Sequence, residues 1–342
     1  MRDSFAGKNS KKEGMNMMKK LLALVLALAM TTVAFGALAE EYLMFSTGGT
    51  TGTYYAFGGE IAALLTSKID GLEVTAQASG GSKANILAIT EGEAQLGWTQ
   101  NDVMSYAYQG TEDFGGKPVE TFAAIAAIYP EVVHLVVAKD SGITKVEDLK
   151  GKNVGVGAVG SGVYFNAVQI LEIAGMTLND IVPHYLSFAE SAESFQNRQV
   201  EAFFVVSAFP NASIVDVALK RPVSILTFEG DQLAQLQAKY TDYVTDTIPA
   251  GTYEGLDADV VVPAISAVLV ASNELDEDLV YNITKTLFEG KDELTNAKKA
   301  YISAESAVLG VPTSTSDAAN GVTGGTFHPG AVKYYKEIGV MQ

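Results

Sequence analysis

A loop rich in glycine and threonine near the start of the chain constrains the fold more than any other segment. Residues 46–55, the first loop, read Ser-Thr-Gly-Gly-Thr-Thr-Gly-Thr-Tyr-Tyr. They follow the apolar run 42–45, which predicts a strand, and precede residues 56–67, where apolar positions recur at helical spacing. Such a loop leaves unpaired N–H groups at the positive end of a helix dipole, where an anion can bind. The alternative is a flexible turn with helix caps.

Two further segments repeat this arrangement. The second loop, residues 79–85, reads Ser-Gly-Gly-Ser-Lys-Ala-Asn, and Asn85 follows Ser82 by three residues, on the same face of the next predicted helix. Helix capping by serine is its alternative role. The third loop, residues 155–162, reads Gly-Val-Gly-Ala-Val-Gly-Ser-Gly between a predicted strand and a predicted helix. Three such loops indicate capture of a small carboxylate-bearing solute rather than chemistry on it.

The third loop also matches G-x-G-x-x-G, the fingerprint of a dinucleotide-binding fold. That fold requires an acidic residue about 20 positions further on, at the end of the next strand. Asp180 has the right distance but precedes the strand predicted at residues 181–183. We therefore favour a third anion-binding helix start. An exported enzyme that uses the loops for a phosphate or a dinucleotide is the alternative function.

Polar residues at the end of a short strand add candidates for ligand contact. Residues 98–102 read Trp-Thr-Gln-Asn-Asp. Gln100, Asn101 and Asp102 then lie at the carboxyl end of a strand, where open α/β sheets bind ligands. The alternative is a turn in which Asn101 or Asp102 caps the following helix.

A second polar group stands at the start of an apolar strand. Tyr129, Glu131 and His134 occur in the sequence Tyr-Pro-Glu-Val-Val-His. Strand alternation points Tyr129 and Glu131 to one face and His134 to the other. A carboxyl group in such apolar surroundings needs a partner, either a ligand amine or a structural donor.

The remaining chain alternates strand-like and helix-like segments, which is typical of α/β layers with mostly parallel sheets. Buried strands are predicted at the apolar runs 121–129, 132–138, 202–206 and 260–271. The chain is predicted to form two lobes, one of which is made of two segments that are separated in the sequence. Lobe I comprises residues 40–138 and 255–342, and lobe II comprises residues 139–254.

The N-terminus has the pattern of a secretory signal peptide. Lys19 and Lys20 precede the apolar run 21–30, and Ala-Leu-Ala at 37–39 matches an A-x-A cleavage site. We expect residues 1–39 to be removed, leaving a soluble protein in the periplasm or another extracytoplasmic space. A retained anchor is the alternative, which we disfavour because a membrane span needs about 20 apolar residues.

Composition excludes several classes of function. The mature chain would carry 17 basic and 38 acidic residues, a formal charge of −21, which argues against binding nucleic acid or anionic lipid. There is no cysteine, and His134, His184 and His328 lack metal-ligand spacing. No Walker A or G-x-S-x-G motif occurs. We expect no metal, no cofactor and no enzymatic activity.

Seven motifs occur in order, at residues 42–59, 79–85, 98–102, 129–137, 155–162, 209–212 and 248–253. Together they resemble the TAXI family of solute receptors of tripartite ATP-independent periplasmic (TRAP) transporters. The resemblance implies a two-lobed, type II-like periplasmic binding protein, each lobe a mixed, mostly parallel sheet flanked by helices, with a hinge between. It also implies a monomer that captures a small carboxylate or amino acid, such as glutamate, glutamine or 2-oxoglutarate. The solute would pass to TRAP membrane permease subunits.

Carried onto this chain, the resemblance implies a set of cleft residues. Those lining the cleft are Gly49, Thr50, Thr51, Gly52, Thr53, Tyr54, Ser82, Asn85, Gln100, Asn101, Asp102, Gly160, Ser161 and Gly162. Those nearby are Tyr129, Glu131, His134 and Asn211. Two departures from the family pattern, Tyr164 and Phe209, would place an aromatic ring where it either narrows the pocket or stacks on a ring of the ligand, so the identity of the ligand does not carry over from the family.

Overall fold

The computed structural model describes residues 41–228, 230–309, 311 and 327–341. The predicted signal peptide lies outside this range. The strands are β1 (Glu41–Ser46), β2 (Leu72–Gln77), β3 (Leu96–Gln100), β4 (Phe122–Ala138), β5 (Asn153–Gly155), β6 (Val182–His184), β7 (Ala202–Ser207), β8 (Val223–Ile225), β9 (Val244–Ile248) and β10 (Val260–Ser272).

The α-helices alternate with these strands for most of the chain. They are α1 (Thr53–Lys68), α2 (Ser82–Thr90), α3 (Asn101–Gln109), α4 (Gly162–Ile173), α5 (Phe188–Gln196), α6 (Ala212–Lys220), α7 (Asp231–Lys239), α8 (Glu277–Glu289), α9 (Ala304–Ala307) and α10 (Pro329–Glu337). None of the helices in the described ranges is long and apolar enough to cross a membrane.

The strands form one mixed sheet in the order β2-β1-β3-β10-β4-β7-β5-β6, with β8 added to β4 and β9 added to β10. β1 pairs in parallel with β3, and β5 pairs in parallel with β6 and β7. The two long strands, β4 and β10, run antiparallel to each other and to their other partners. The predicted α/β class is confirmed. The antiparallel centre was not predicted, because an apolar run has the same pattern in either direction.

β4 corrects one prediction, since the two strands expected at 121–129 and 132–138 are a single strand. Pro130 interrupts the sequence pattern but not the strand. β7 pairs with β4 only from Val132 onward, so one edge of β4 is free of that neighbour at Pro130. A proline is tolerated in a strand where its missing N–H is not required by a partner.

The buried apolar residues form two clusters. The first contains Tyr54, Trp98 and most of the N-terminal helices and strands, and the second contains Val163, Val206 and the segments around them. Both long strands contribute to both clusters. The change from one cluster to the other falls between Tyr129 and Val132 in β4. Two hydrophobic cores are therefore joined by two continuous strands.

Candidate ligand-binding site

A cavity of about 70 Å³ lies between the two clusters. All three loops contribute to its wall. Tyr54 comes from the first cluster, and Val163 and Val206 come from the second. The wall consists of Gly48, Gly49, Gly52, Thr53, Tyr54, Ser79, Gly80, Gly81, Ser82, Gln100, Glu131, Ala158, Ser161, Gly162, Val163, Ser187, Phe188, Val206 and Ser207.

Three helices begin at this cavity. Gly52 precedes α1 and Gly81 precedes α2, and neither helix has a side-chain cap. Ser161 caps α4, where its Oγ accepts a 3.3 Å hydrogen bond from the N–H of Tyr164. Uncapped first-turn N–H groups carry positive partial charge. The cavity therefore combines three positive helix ends, as an anion-binding site requires.

Gly81 and Gly162 are needed for different reasons. Gly81 has a φ of 101°, which side chains rarely adopt, so glycine permits the turn into α2. A Cβ atom on Gly162 would come within 1.9 Å of the Gln100 side-chain oxygen Oε1. The third loop thus uses its last glycine to let the Gln100 amide pack against the backbone of α4. Gln100 Oε1 is buried and has no hydrogen-bond partner among the described residues.

Glu131 is the buried acid of the cavity. Its Oε2 accepts a 2.6 Å hydrogen bond from the Tyr54 hydroxyl, and the Tyr54 ring stacks on Trp98 with ring centres 5.6 Å apart. Burial raises the pKa of Glu131 to about 8, the Tyr54 hydrogen bond opposes this, and the charge of Asp102 adds to it. Glu131 is therefore mostly protonated at neutral pH when no counter-ion faces it.

Hydroxyl and amide groups join the first loop to segments of the second cluster. Thr53 Oγ1 lies 3.0 Å from Ser207 Oγ. Ser213 Oγ donates to Thr51 Oγ1 over 2.9 Å, and Asn211 Nδ2 donates to the Thr51 carbonyl over 3.4 Å. The first loop thus reaches β7 and α6 through direct polar contacts.

Asn85 lies outside the cavity wall, and its side chain is fully used by the fold. Its Nδ2 donates 2.7 Å hydrogen bonds to the carbonyls of Thr47 and Trp98. Its Oδ1 accepts from the hydroxyls of Ser46 and Ser79, at 2.8 and 2.6 Å. Asn85 therefore ties the first and second loops to β3, and its effect on the cavity is to position them.

Asp102 also lies beyond the wall, in a buried polar network. Its Oδ2 accepts a 2.8 Å hydrogen bond from Asn166 Nδ2, which also donates to the Tyr243 hydroxyl over 2.6 Å. The Tyr243 hydroxyl donates to Gln169 Oε1, and Gln169 Nε2 donates to the Tyr106 hydroxyl, both over 2.7 Å. Burial raises the pKa of Asp102 to about 7. The network connects α3 to α4 behind the cavity.

His134 is buried in a similar way. The Tyr253 hydroxyl lies 2.9 Å from His134 Nε2 and accepts a 2.9 Å hydrogen bond from the Asn211 N–H. It can then donate its own proton to Nε2, which leaves Nδ1 to donate to the Val205 carbonyl at 3.3 Å. Burial lowers the pKa of His134 to about 4, so the ring is neutral. His134 therefore helps to hold the Tyr253 hydroxyl, and that hydroxyl in turn holds the backbone of Asn211.

The structure separates the predicted residues into two groups. In the cavity wall lie Gly49, Gly52, Thr53, Tyr54, Ser82, Gln100, Glu131, Ser161 and Gly162. Outside the wall lie Thr50, Thr51, Asn85, Asn101, Asp102, Tyr129, His134, Gly160 and Asn211. Asn101 accepts a hydrogen bond from the Ser266 N–H, and Gly160 accepts one from the Ala84 N–H. Most of the outer group therefore connects the segments that carry the inner group.

Tyr164 and Phe209 are not among the residues of the cavity wall, and Tyr164 packs on Phe165 and Tyr185. A part for either ring in ligand binding stays a prediction. The aromatic ring in the wall besides Tyr54 belongs to Phe188, which would lie 3.5 Å from a Cβ on Gly52. One sequence pattern does mark the segment that contains Phe188. Ser187 and Glu190 have the spacing of a capping box, and in the structure they form the capping box at the start of α5.

Basic side chains and metal ligands are both missing from the site. No Lys or Arg of the described chain lines the cavity. Lys83 instead donates to the Asp113 carbonyl, and Arg221 stacks over Phe195. Across the described residues, no group of three or more His, Asp or Glu side chains is placed to hold a metal ion. An anion in this cavity would be held by neutral donors.

This chain resembles known proteins both in sequence and in fold. The sequence model that describes the NMT1-like family matches residues 45–339. A solved structure titled as the alkanesulfonate-binding protein SsuA from Xanthomonas axonopodis pv. citri, bound to MOPS, is similar with a TM-score of 0.50 and 16% identity. That match covers 88% of this chain and 84% of SsuA.

A protein from Bordetella bronchiseptica RB50 matches with a TM-score of 0.53 and 16% identity, over 88% of this chain and 98% of its own. At such identities the likeness concerns the fold, which is the α/β fold of periplasmic binding proteins with a mixed sheet and flanking helices.

Proposed function

This chain belongs to the NMT1-like family, and we propose that it is an extracytoplasmic solute-binding protein that delivers a small carboxylate to a membrane transporter. The observation that carries this proposal is the cavity between the two clusters. Its wall is drawn from all three glycine-rich loops and from both hydrophobic clusters. A solute held there would touch both halves of the molecule at once.

Ligand-dependent closure is the mechanism that this arrangement supports. The bounds expected from the sequence, residues 40–138 with 255–342 and residues 139–254, would put β4 and β10 wholly in lobe I. The two hydrophobic clusters instead meet within these strands, between Tyr129 and Val132 and between Ile265 and Ala267. We therefore propose that β4 and β10 carry the hinge at these positions. Opening would separate Thr53 from Ser207 and Gln100 from Gly162, which meet in the present structure. A solute that binds only when these groups are together shifts the equilibrium toward the closed form.

Recognition of the carboxylate rests on neutral groups. The first-turn N–H groups of α1, α2 and α4 and the hydroxyls of Thr53, Ser82 and Ser161 surround the cavity. A hydrogen bond to a charged group contributes about 1.5–3 kcal/mol. Several such bonds suffice to hold an anion against the negative charge of the whole protein.

The seven ordered motifs that resemble the TAXI family support a TRAP permease as the membrane partner, with glutamate, glutamine or 2-oxoglutarate as model solutes. A second candidate is an ABC-type importer that takes a sulfonate. It is favoured by the fold likeness to a structure titled as an alkanesulfonate-binding protein. A sulfonate and a carboxylate would both suit a site built from helix N-termini.

Native mass spectrometry of residues 40–342, followed by a thermal-shift screen, tests the binding function. The screen should contain amino acids, 2-oxo acids and alkanesulfonates. We expect one class to raise the Tm and to be released unchanged on denaturation. Chemical turnover of a phosphate ester or a nicotinamide would instead support the exported enzyme. Solute uptake in proteoliposomes that requires a sodium gradient, rather than ATP, would identify the TRAP partner.

A further inference from the structure

The cavity contains hydrogen-bond acceptors as well as donors. Glu131 lines the cavity, and its Oε2 accepts a hydrogen bond from the Tyr54 hydroxyl. Gln100, also in the wall, has a buried amide oxygen without a hydrogen-bond partner among the described residues. A purely anionic solute would offer this amide oxygen no donor, and an unmet buried polar group is costly.

The neighbours of Glu131 offer no positive charge. The titratable groups that act on it or are affected by it are Tyr54, Tyr129 and Asp102. Neither a tyrosine hydroxyl nor a second carboxyl can serve as its counter-ion. The Tyr54 hydrogen bond is thus the stabilisation that the carboxylate form of Glu131 receives within the described residues, and a cation in the cavity would add the counter-charge that these neighbours do not supply.

We propose that Glu131 is the counter-ion of a protonated amine on the solute, with the Gln100 amide oxygen as a second acceptor. The cavity then selects α-amino acids over the 2-oxo acids that share their carbon skeleton. This inference rests on the proposed binding function and narrows its ligand class. The solute carboxylate lies toward the helix N-termini, and its ammonium group lies toward Glu131.

A proton must leave when such a solute binds. Without a solute, Glu131 is mostly protonated at pH 7, because burial raises its pKa to about 8. The ammonium group of the solute keeps its own three protons and pairs with the carboxylate, so the Glu131 proton passes to bulk water. Binding of an amino acid near neutral pH should therefore release a proton, and the release should diminish as the pH rises above the raised pKa of Glu131. A 2-oxo acid brings no cation and should release none.

Isothermal titration calorimetry of residues 40–342 in buffers of different ionisation enthalpy measures both affinity and proton release. The probes are matched pairs, L-glutamate with 2-oxoglutarate and L-valine with 3-methyl-2-oxobutanoate. For the pair that fits the cavity, we expect the amino acid to bind about ten- to a hundredfold more tightly, as expected for a hydrogen bond to a charged group.

Two variants complete the test. Glu131→Gln keeps an acceptor for Tyr54 but cannot ionise, so it should lose the preference for the amino acid and the proton release together. Glu73→Gln, at an exposed position of β2, should behave as the wild type.

The inference is overturned if a 2-oxo acid binds as tightly as its amino acid, or if amino-acid binding releases no proton. Those outcomes would leave the proposed solute-binding function intact. Binding of no carboxylate or sulfonate in the broader screen would instead overturn the proposed function itself, and this inference with it.

Discussion

The Gln100 side chain fills the space that a side chain on Gly162 would need, with its Oε1 only 1.9 Å from the position of a Cβ atom. Gln100 ends β3, and Gly162 begins α4. The two residues are 62 positions apart in the chain and meet at the cavity wall. The last glycine of the third loop is thus explained by a contact with a distant strand.

Replacing Gly162 by alanine should therefore disturb the site. The buried Gln100 side chain would have to move, and overpacking of this kind costs about 1–3 kcal/mol. We expect a lower Tm and a weaker thermal shift with the solute found in the screen. Gly59→Ala is the matched control, because nothing lies within 4 Å of its Cβ position and alanine favours the interior of α1. The double variant Gly162→Ala with Gln100→Ala should recover the Tm; no recovery would show that this contact is not the cause.

Ser161 has two separable roles, which two substitutions should distinguish. Ser161→Ala removes the cap of α4 and should cost about 0.5–2 kcal/mol, while Ser161→Gly should cost only a few tenths. If the hydroxyl also contacts the solute, both variants lose affinity to a similar extent. Denaturant unfolding and calorimetric titration measure the two effects. Wild-type affinity in Ser161→Gly would limit this residue to capping.

The raised pKa of Asp102 should make the stability of the protein without solute depend on pH. Burial raises its pKa from 3.8 to about 7, so the folded state holds a proton that the unfolded state has lost in that interval. The contribution of Asp102 to the free energy of unfolding should be largest below pH 4 and should fall as pH rises toward 7. The slope from one group is at most about 1.4 kcal/mol per pH unit.

The Asp102→Asn variant should lose this part of the slope. The new amide can present its own oxygen to Asn166 Nδ2 in place of the carboxylate oxygen, so this hydrogen bond is kept. Urea denaturation between pH 4.5 and 8 measures the difference, and Glu131, Asp242 and Glu112, whose pKa values burial also raises, should contribute to the slope that remains. Identical pH profiles for variant and wild type would place the titrating group elsewhere.

Tyr253 should matter to the site although it lies outside the cavity wall. Its hydroxyl accepts from the Asn211 N–H and contacts His134 Nε2. Tyr253→Phe leaves both groups buried without a partner, at a cost of about 1–3 kcal/mol. Because Asn211 donates to the Thr51 carbonyl, the affinity for the solute should fall as well. Tyr55→Phe, at an exposed position of α1, is the control and should change neither quantity.

The succession of strands, turns and helices along the chain was predictable, because glycine-rich turns and apolar runs can be recognised within short stretches of sequence. The third loop was correctly expected between a strand and a helix, and β5 and α4 flank it. The direction of β4 and β10 was not predictable, because pairing is decided by packing between distant segments. For the same reason Ser207 and Phe188 were missed, since nothing in their own neighbourhood shows that they face the first loop.

The sequence also could not show which polar residues face the cavity and which form hydrogen bonds within the protein. Asn85 and Asp102 have the same chemistry as ligand-binding residues, yet they form hydrogen bonds within the protein. Only the positions of their partners distinguish the two uses. Glu131 is the instructive case, because its apolar sequence context correctly indicated that it needs a partner, and Tyr54 is one.

The most direct measurement is a crystal structure of residues 40–342 with the solute that the protein retains on purification. We expect electron density for one small molecule among Glu131, Gln100 and the N-terminus of α4, in contact with residues of both hydrophobic clusters. Density for the solute at any other surface, with this cavity holding only water, would contradict the assignment of the site.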